Sequence, residues 1–248
     1  MKAVLVLPTY KESDNVQTML RALLSLEPEL RVLVVDDNSP EGTGDIVDAL
    51  SRCQHRISLL RWPGKLGLGS AYRDGFRHAV KQMGADLILQ MDCDHTHDPR
   101  EIPKCLEAVK SADLVIGSRY VMGGRTEGWP WSRKLMSRTL NLAGAILARF
   151  WVRDCSSGFR CYRRAALERI RFDETESVGY AFQIEMALRC IACGLRVAEI
   201  PITFRERRHG NSKISRAIML EAAWLLLKMG KVIAVSGKGG ISFEEAPR

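Results

Sequence analysis

Apolar residues in this chain come in short continuous runs, and between those runs the spacing changes to a helical repeat. KAVLVLP, RVLVVDD, ISLLRW, DLILQMD and DLVIGS are rich in Val, Ile and Leu and are bounded by polar or turn-forming residues, as strands are. NVQTMLRALLSL and SAYRDGFRHAVKQM instead place apolar residues three and four apart, the pattern of a helix with one buried face. Alternation of the two predicts a mostly parallel central sheet flanked by helices, an α/β fold of the Rossmann-like kind. Strands covered on both faces read as unbroken apolar runs, and ligands gather beyond their carboxyl ends.

That rule gives the polar residues at the run ends a shared destination. Pro8, Thr9, Tyr10 and Glu12 follow the first run, Asp36 and Asp37 the second, and Asp92 and Asp94 the fourth. Beyond Tyr120 the alternation stops. Gly123, Gly124, Gly128 and Pro130 mark a loop carrying Trp129 and Trp131, and a helical segment, RKLMSRTLNLAGAILARFW, follows. A further strand is expected in LRVAEIPITF, then a basic run, FRERRHGNSKISR, an amphipathic helix over 217–235, and a Gly/Ser/Lys tail over 236–248 expected to be flexible. No internal repeat is present, and 248 residues suit a single domain, here 1–216.

Composition narrows the partners. A formal charge of +8 favours phosphorylated ligands and anionic surfaces, while the absence of any RNP-like or zinc-finger pattern argues against nucleic acid. Seven irregularly spaced cysteines do not form a secreted disulfide framework. The first apolar run is too short for a signal-peptide core, and IMLEAAWLLLKMGKVIAV is interrupted by Glu221, Lys228 and Lys231, so neither export nor a membrane span is expected.

Asp92 and Asp94, one residue apart at a buried strand end, are close enough to share a hard divalent cation; Mg²⁺ is commonly held by one or two carboxylates together with substrate phosphates. Asp98, before Pro99, reads as the cap of the next helix. GKLGLGSAYRDG lacks the lysine of a phosphate-binding Walker loop and the third glycine of a dinucleotide motif, so its glycines are assigned to a tight turn into the helix carrying Tyr72, Arg73 and Phe76. Cys190 and Cys193 form a lone CxxC late in a helical pattern and read as core thiols; His55, His78 and His209 have no ligand spacing. Arg205, Arg207, Arg208, Lys213 and Arg216 flank Gly210, a pattern open to two readings, a solvated surface or a loop that grips phosphate. Arg119, Arg133 and Arg138 offer a second set of phosphate ligands.

Taken in order, PTYKESDN, VVDDNSPEGT, KLGLGSAY, MDCDHTHDP, GSRYVMGG, DCSSGFRCYRR, YAFQIEM and RRHGNSKI resemble the motif series of the polyprenyl-phosphate (dolichol-phosphate) mannosyltransferases, inverting members of glycosyltransferase family 2 with the GT-A fold. The resemblance covers about residues 3–216. It implies that Pro8, Tyr10, Glu12, Val35 and Asp37 hold the nucleoside of GDP-mannose, that Asp92, Cys93 and Asp94 meet its diphosphate, and that Asp92 and Asp94 carry Mg²⁺ or Mn²⁺. Arg119, Arg207 and Lys213 would grip the phosphates, and Arg119, Arg133 and Ser137 resemble the site for the acceptor phosphate. Asp94, Arg119 and Lys213 would then be the residues on which transfer depends. Cys93 and Thr96 depart from the family pattern, in which a small residue and, in some members, a glutamine stand at these positions. A polyprenyl-phosphate acceptor implies a peripheral enzyme on the cytoplasmic face of a membrane, and the resemblance admits a separate membrane-anchoring subunit. The 217–235 helix has two level readings, packing on the sheet or lying in the interface. UDP-glucose as donor, a glycan hydroxyl as acceptor, and a non-catalytic nucleotide-sugar-binding subunit are the competing readings.

Overall fold

The parallel alternation closes into a seven-stranded sheet in the computed structural model, which describes residues 1–147, 152–177, 179 and 181–206. The strands are β1 (Ala3–Thr9), β2 (Arg31–Asp36), β3 (Ile57–Arg61), β4 (Leu87–Gln90), β5 (Leu114–Ser118), β7 (Arg160–Arg163) and β8 (Val197–Pro201), in the spatial order β3-β2-β1-β4-β7-β5-β8. Only β7 runs against its neighbours, pairing antiparallel with both β4 and β5. Two reversals cancel, so β5 and β8 point the same way as β1, β2 and β4. The carboxyl ends of six strands, together with the segment that leads into β7, therefore share one edge of the sheet. A small second sheet pairs β6 (Arg125–Glu127) with β9 (Thr203–Arg205) in parallel.

The apolar runs are explained by burial on both faces. Along β1, Val4 and Val6 join one core cluster and Leu5 and Leu7 the other, all fully buried. The first cluster is completed by Tyr72 and Phe76 of α3 (Leu68–Lys81) and by Phe182 and Met186 of α7 (Ala181–Ala192). On the opposite face stand Val16, Met19, Leu20 and Leu23 of α1 (Ser13–Leu26), Val47 of α2 (Thr43–Cys53) and Ile102 and Cys105 of α4 (Ile102–Ala108). Each fully buried side chain of this size contributes about 1.5–3 kcal/mol, so both helical layers are bound firmly to the sheet. Gly75 shows how closely α3 lies on it: a Cβ there would stand 2.3 Å from Val6 Cγ1.

Two elements were absent from the apolar pattern. β7 and β6 are short, and two of four and two of three of their residues are arginine or glutamate, so neither produces a strand-like run. The expected last strand is divided into β8 and β9 around Ile202. α5 (Trp131–Leu147) occupies most of the predicted RKLMSRTLNLAGAILARFW helix, and α6 (Arg164–Arg169) follows β7. Cys190 and Cys193 are buried core thiols, as their spacing suggests. The basic run from Arg207 onward, including Arg208, His209, Lys213 and Arg216, the 217–235 helix and the 236–248 tail lie outside the described residues. Among the described residues no helix is long and apolar enough to cross a membrane.

Candidate functional site

The loops after β1, β2 and β4 each contain one non-glycine residue in left-handed backbone: Lys11 at φ 61°, Asn38 at 56° and His95 at 58°. Such conformations cost about 1–3 kcal/mol and persist where the surrounding bonds enforce them. Those bonds are visible. Asp36 accepts from the Thr9 hydroxyl at 2.9 Å and from Ser39 Oγ and N at 2.7 and 3.1 Å, tying the first two loops together. Lys11 N donates to Ser39 Oγ, and Glu12 N to Thr43 Oγ1.

The residues expected to hold the nucleoside come together at this corner. Pro8 and Val35 are register partners, Val35 wholly buried in the core, so its side chain shapes the corner from beneath. Asp37 is buried, and its two oxygens accept the backbone N–H groups of Leu66 and Gly67 at 2.6 and 3.1 Å. It fixes the turn before α3. Lys65, from that turn, lies with its ammonium 3.8 Å from the centre of the Tyr10 ring. Glu12 accepts from Asn15 Nδ2 at 2.7 Å at the start of α1.

Next to this corner, Asp92 and Asp94 leave the end of β4. Asp92 Oδ1 accepts from Tyr72 Oη at 3.2 Å, and burial with the Asp92 charge raises the Tyr72 pKa well above that of a free phenol, so Tyr72 stays a neutral donor. Asp94 is buried, and its Oδ1 accepts from both N and Oγ1 of Thr96, at 3.1 and 2.7 Å. Thr96 thus touches the acidic pair by orienting Asp94. Burial, followed by the negative charges of Glu12, Asp94 and Asp92, pushes the Cys93 thiol well above its ordinary pKa. The thiol is neutral and buried on the α1 and α4 side. His95 Nε2 and Thr18 Oγ1 are 3.0 Å apart. Asp98 caps the 3-10 turn Pro99–Glu101, accepting Arg100 N at 3.1 Å, as its place before Pro99 predicts. Side-chain bonds from Arg100, then its backbone bond and Arg205, hold the Asp98 carboxyl below the ordinary carboxylate range against the opposing effect of burial.

Arginines dominate the other end of the edge. Arg119 directly follows β5, and its Nε and Nη2 make a fork onto Oδ2 and Oδ1 of Asp154 at 2.7 and 2.6 Å. Arg119 N adds a third bond to Asp154 at 2.9 Å, and Nη2 also donates to Ser156 Oγ at 2.7 Å. Asp154 is wholly buried and Arg119 nearly so. The Asp154 charge and hydrogen bond raise the Arg119 pKa although burial opposes this. The Arg119 guanidinium carbon lies 5.2 Å from the Trp129 ring centre and 5.3 Å from that of Tyr120. Gly124 permits the loop to turn back over it: a Cβ there would fall 2.4 Å from the Ser118 carbonyl oxygen and 2.9 Å from the Arg119 carbonyl carbon.

Arg133 lies on the Trp129 ring at 4.1 Å, and its Nη1 donates to both oxygens of Glu206. Ser137 accepts from Tyr120 Oη at 2.6 Å. Arg119, Arg133 and Ser137, the residues expected at the acceptor phosphate, are thus gathered around Tyr120 and Trp129. The two tryptophans separate: Trp129 is buried within this cluster, whereas Trp131 is 76% exposed. Arg205, read from sequence as part of the basic loop, is bound to Asp98 and Glu127 at 3.2 Å each. Arg207 and Lys213 lie outside the described residues.

Sequence reasoning assigned no role to Asp154, Ser156, Glu206 or Gly158. Asp154 and Ser156 sit in DCSSGFRCYRR, the segment that leads into β7, and Gln90 at the end of β4 anchors that segment by donating to the Gly158 carbonyl at 3.2 Å and to Gln183 Oε1 at 2.6 Å. A Cβ on Gly158 would lie 3.4 Å from Asp92 Oδ2, so this position borders the acidic pair. Glu185 of the YAFQIEM motif accepts the backbone N–H groups of Glu176 and Ser177 and pairs with Arg189, which gives it a structural role.

Residues 4–171 match the family model described as glycosyl transferase family 2. The chain is 42% identical over 230 residues to the undecaprenyl-phosphate mannosyltransferase of Micrococcus luteus, covering 93% of this chain and 94% of that protein. It is 38% identical to the polyprenol monophosphomannose synthase of Mycolicibacterium smegmatis, covering 92% and 87%. Among solved structures, the fold resembles glucosyl-3-phosphoglycerate synthase from Mycobacterium tuberculosis, with a TM-score of 0.69, 17% identity and 93% and 80% coverage. It also resembles a mannosyltransferase from Pyrobaculum calidifontis in complex with GDP-Man and Mn²⁺, with a TM-score of 0.58, 15% identity and 97% and 76% coverage.

Proposed function

The chain belongs to glycosyl transferase family 2, and from that premise we propose that it transfers mannose from GDP-mannose to a polyprenyl phosphate, with inversion at the anomeric carbon. The observation that carries the reading is the 42% identity to an undecaprenyl-phosphate mannosyltransferase along nearly the whole of both chains. The arrangement of charge supports it, with carboxylates at one end of the sheet edge and guanidinium groups at the other.

Asp92 and Asp94 fit a hard divalent cation, Mg²⁺ or Mn²⁺, by the chemistry of their donors: two oxygen ligands one residue apart, the rest of the shell left to diphosphate and water. When bound, the ion would offset charge building on the departing diphosphate. Thr96 holds Asp94, and Tyr72 holds Asp92, through neutral hydrogen bonds that leave both carboxylates charged. The corner of Pro8, Tyr10, Glu12, Val35 and Asp37 takes the nucleoside, and Arg207 and Lys213 take the diphosphate.

The acceptor supplies its own nucleophile. A phosphate monoester has a second pKa of about 6, so near neutral pH its oxygen is already anionic and no side chain has to remove a proton. The task left to the protein is to bring two anions together. Arg119, Arg133 and Ser137 hold the acceptor phosphate, and a single direct displacement inverts the sugar without a covalent enzyme intermediate. A lipid acceptor places the reaction at a membrane surface, which the +8 charge favours where the lipid is anionic.

Incubating the purified protein with polyprenyl phosphate and radiolabelled GDP-mannose or UDP-glucose, followed by thin-layer separation of the lipids, tests the reading. Label is expected in the lipid from GDP-mannose only, and only with Mg²⁺ or Mn²⁺ present. Label from UDP-glucose alone would refute the mannose assignment, and nucleotide-sugar binding without transfer would make the protein a sensor.

A further inference from the structure

Arg133 already holds an anion. Its Nη1 donates to both oxygens of Glu206, at 2.8 and 2.7 Å, while its guanidinium stacks on Trp129. Arg119 faces the same indole ring and carries its own carboxylate, Asp154. The two pairs are built differently. Arg119 and Asp154 meet nitrogen for oxygen as a fork, with side chains 7% and 0% exposed. Arg133 puts a single nitrogen on both oxygens of Glu206, whose side chain is 35% exposed. The Nε of Arg133 is buried and, among the described residues, has no hydrogen-bond partner. The guanidinium therefore keeps donor capacity that Glu206 does not satisfy.

We propose that Glu206 is a displaceable counter-ion of Arg133 that determines which acceptors the site admits. The inference rests on reading Arg133 as an acceptor-phosphate ligand of a polyprenyl-phosphate mannosyltransferase. A carboxylate spreads one charge over two oxygens, whereas a phosphate monoester near neutral pH carries about −1.5 to −2 over three. A monoester dianion can therefore replace Glu206 and engage more than one guanidinium nitrogen, which a carboxylate on Nη1 does not. A phosphodiester monoanion gains little by the exchange, and a neutral hydroxyl gains nothing. Glu206, already partly solvated, is released to water at small cost. Asp154 cannot leave in this way, because its removal would strand a buried guanidinium. Specificity arises from what the wrong acceptor fails to displace, at the expense of some affinity for the right one.

The test measures transfer by the full chain to polyprenyl phosphate in detergent micelles for the wild type and Glu206→Gln. The amide still fits beside Arg133 but no longer competes as a charge. The acceptor KM is expected to fall about fivefold to tenfold, with the donor KM unchanged, and inorganic phosphate is expected to inhibit the variant at correspondingly lower concentration. An acceptor KM that stays the same or rises would overturn the proposal, because Glu206 would then be orienting Arg133. If Glu206→Gln does not fold, Glu206→Ala is read by the same criterion. If the wild type transfers no mannose, the proposed reaction fails on its own; calorimetric titration of inorganic phosphate into both proteins then decides the inference, tighter binding by the variant supporting it and equal or weaker binding refuting it.

Discussion

At the acidic end of the sheet edge, the carboxylates accept from neutral hydroxyls: Asp94 from Thr96, two residues away, Asp92 from Tyr72, 20 away, and Asp36 from Ser39 and Thr9, 3 and 27 away. At the basic end, Arg119 is bound to Asp154 across 35 residues and Arg133 to Glu206 across 73. The difference follows from what each end must do. Carboxylates proposed to share a cation with a substrate need orientation but must keep ligand capacity, and neutral donors, Thr96 in the same loop and Tyr72 on α3, orient them without neutralising them. Both guanidinium groups at the other end lie beside aromatic rings and are matched with a carboxylate, Arg119 buried, where an unbalanced charge is expensive, and Arg133 half-buried, where it costs less. Those carboxylates come from whichever segment the fold brings near.

Asp94→Ala breaks the acidic end most severely. Loss of this proposed metal ligand is expected to lower the transfer rate about a thousandfold, read as turnover at saturating Mg²⁺ or Mn²⁺. Chelation of the ion should do the same to the wild type and be reversed by adding it back. Should Asp94→Ala retain most of its activity, the two ends would not differ in the way described.

Stability tests the basic end. Asp154→Ala leaves Arg119 buried and uncompensated, and urea denaturation is expected to show a loss of about 3–5 kcal/mol. Glu206→Ala breaks an ion pair that solvent already reaches, so its cost is expected to stay under about 1 kcal/mol. Equal costs would show that burial does not distinguish the two arginines. Gly124→Ala probes the same end more gently. Its Cβ would have to displace the backbone of Ser118 and Arg119, and the expected loss is about 1–3 kcal/mol, with a raised acceptor KM and an unchanged donor KM.

The smallest effect concerns pH. The folded-state pKa of Asp98 is depressed, so its bonds to Arg100 and Arg205 stabilise the fold fully above the unfolded value of about 4 and are lost progressively as pH falls toward the folded value. Melting temperatures measured between pH 5 and pH 2 are expected to fall less steeply for Asp98→Asn than for the wild type. Parallel curves would show that the Asp98 bonds contribute nothing to the acid dependence of the fold.

Much of the acidic end was legible beforehand because its signals are short in range. A buried run that ends in Asp-Cys-Asp, a capping Asp before Pro99, and a glycine turn leading into Tyr72 each lie within a few residues. The arginines were read as candidate phosphate ligands, but the carboxylates that pair with Arg119 and Arg133 were not picked out, since nothing near either position names its partner. Cys93 and Val35 show the converse limit: both belong to the expected donor set by position, yet their side chains are buried in the two core clusters. The direction of a side chain at a strand end depends on pleat and register, which no motif records.

The order of apolar runs by itself determined a parallel sheet covered on both faces, because only continuous burial accounts for strands without polar positions, and that sheet in turn determined which loops share an edge. Tertiary structure alone decided the rest. It inserted the antiparallel β7 between β4 and β5, and so carried the 154–158 segment to the same edge as Arg119 and Asp92. The physical reason is that electrostatic partnership depends on distance through space, while a sequence reports only distance along the chain.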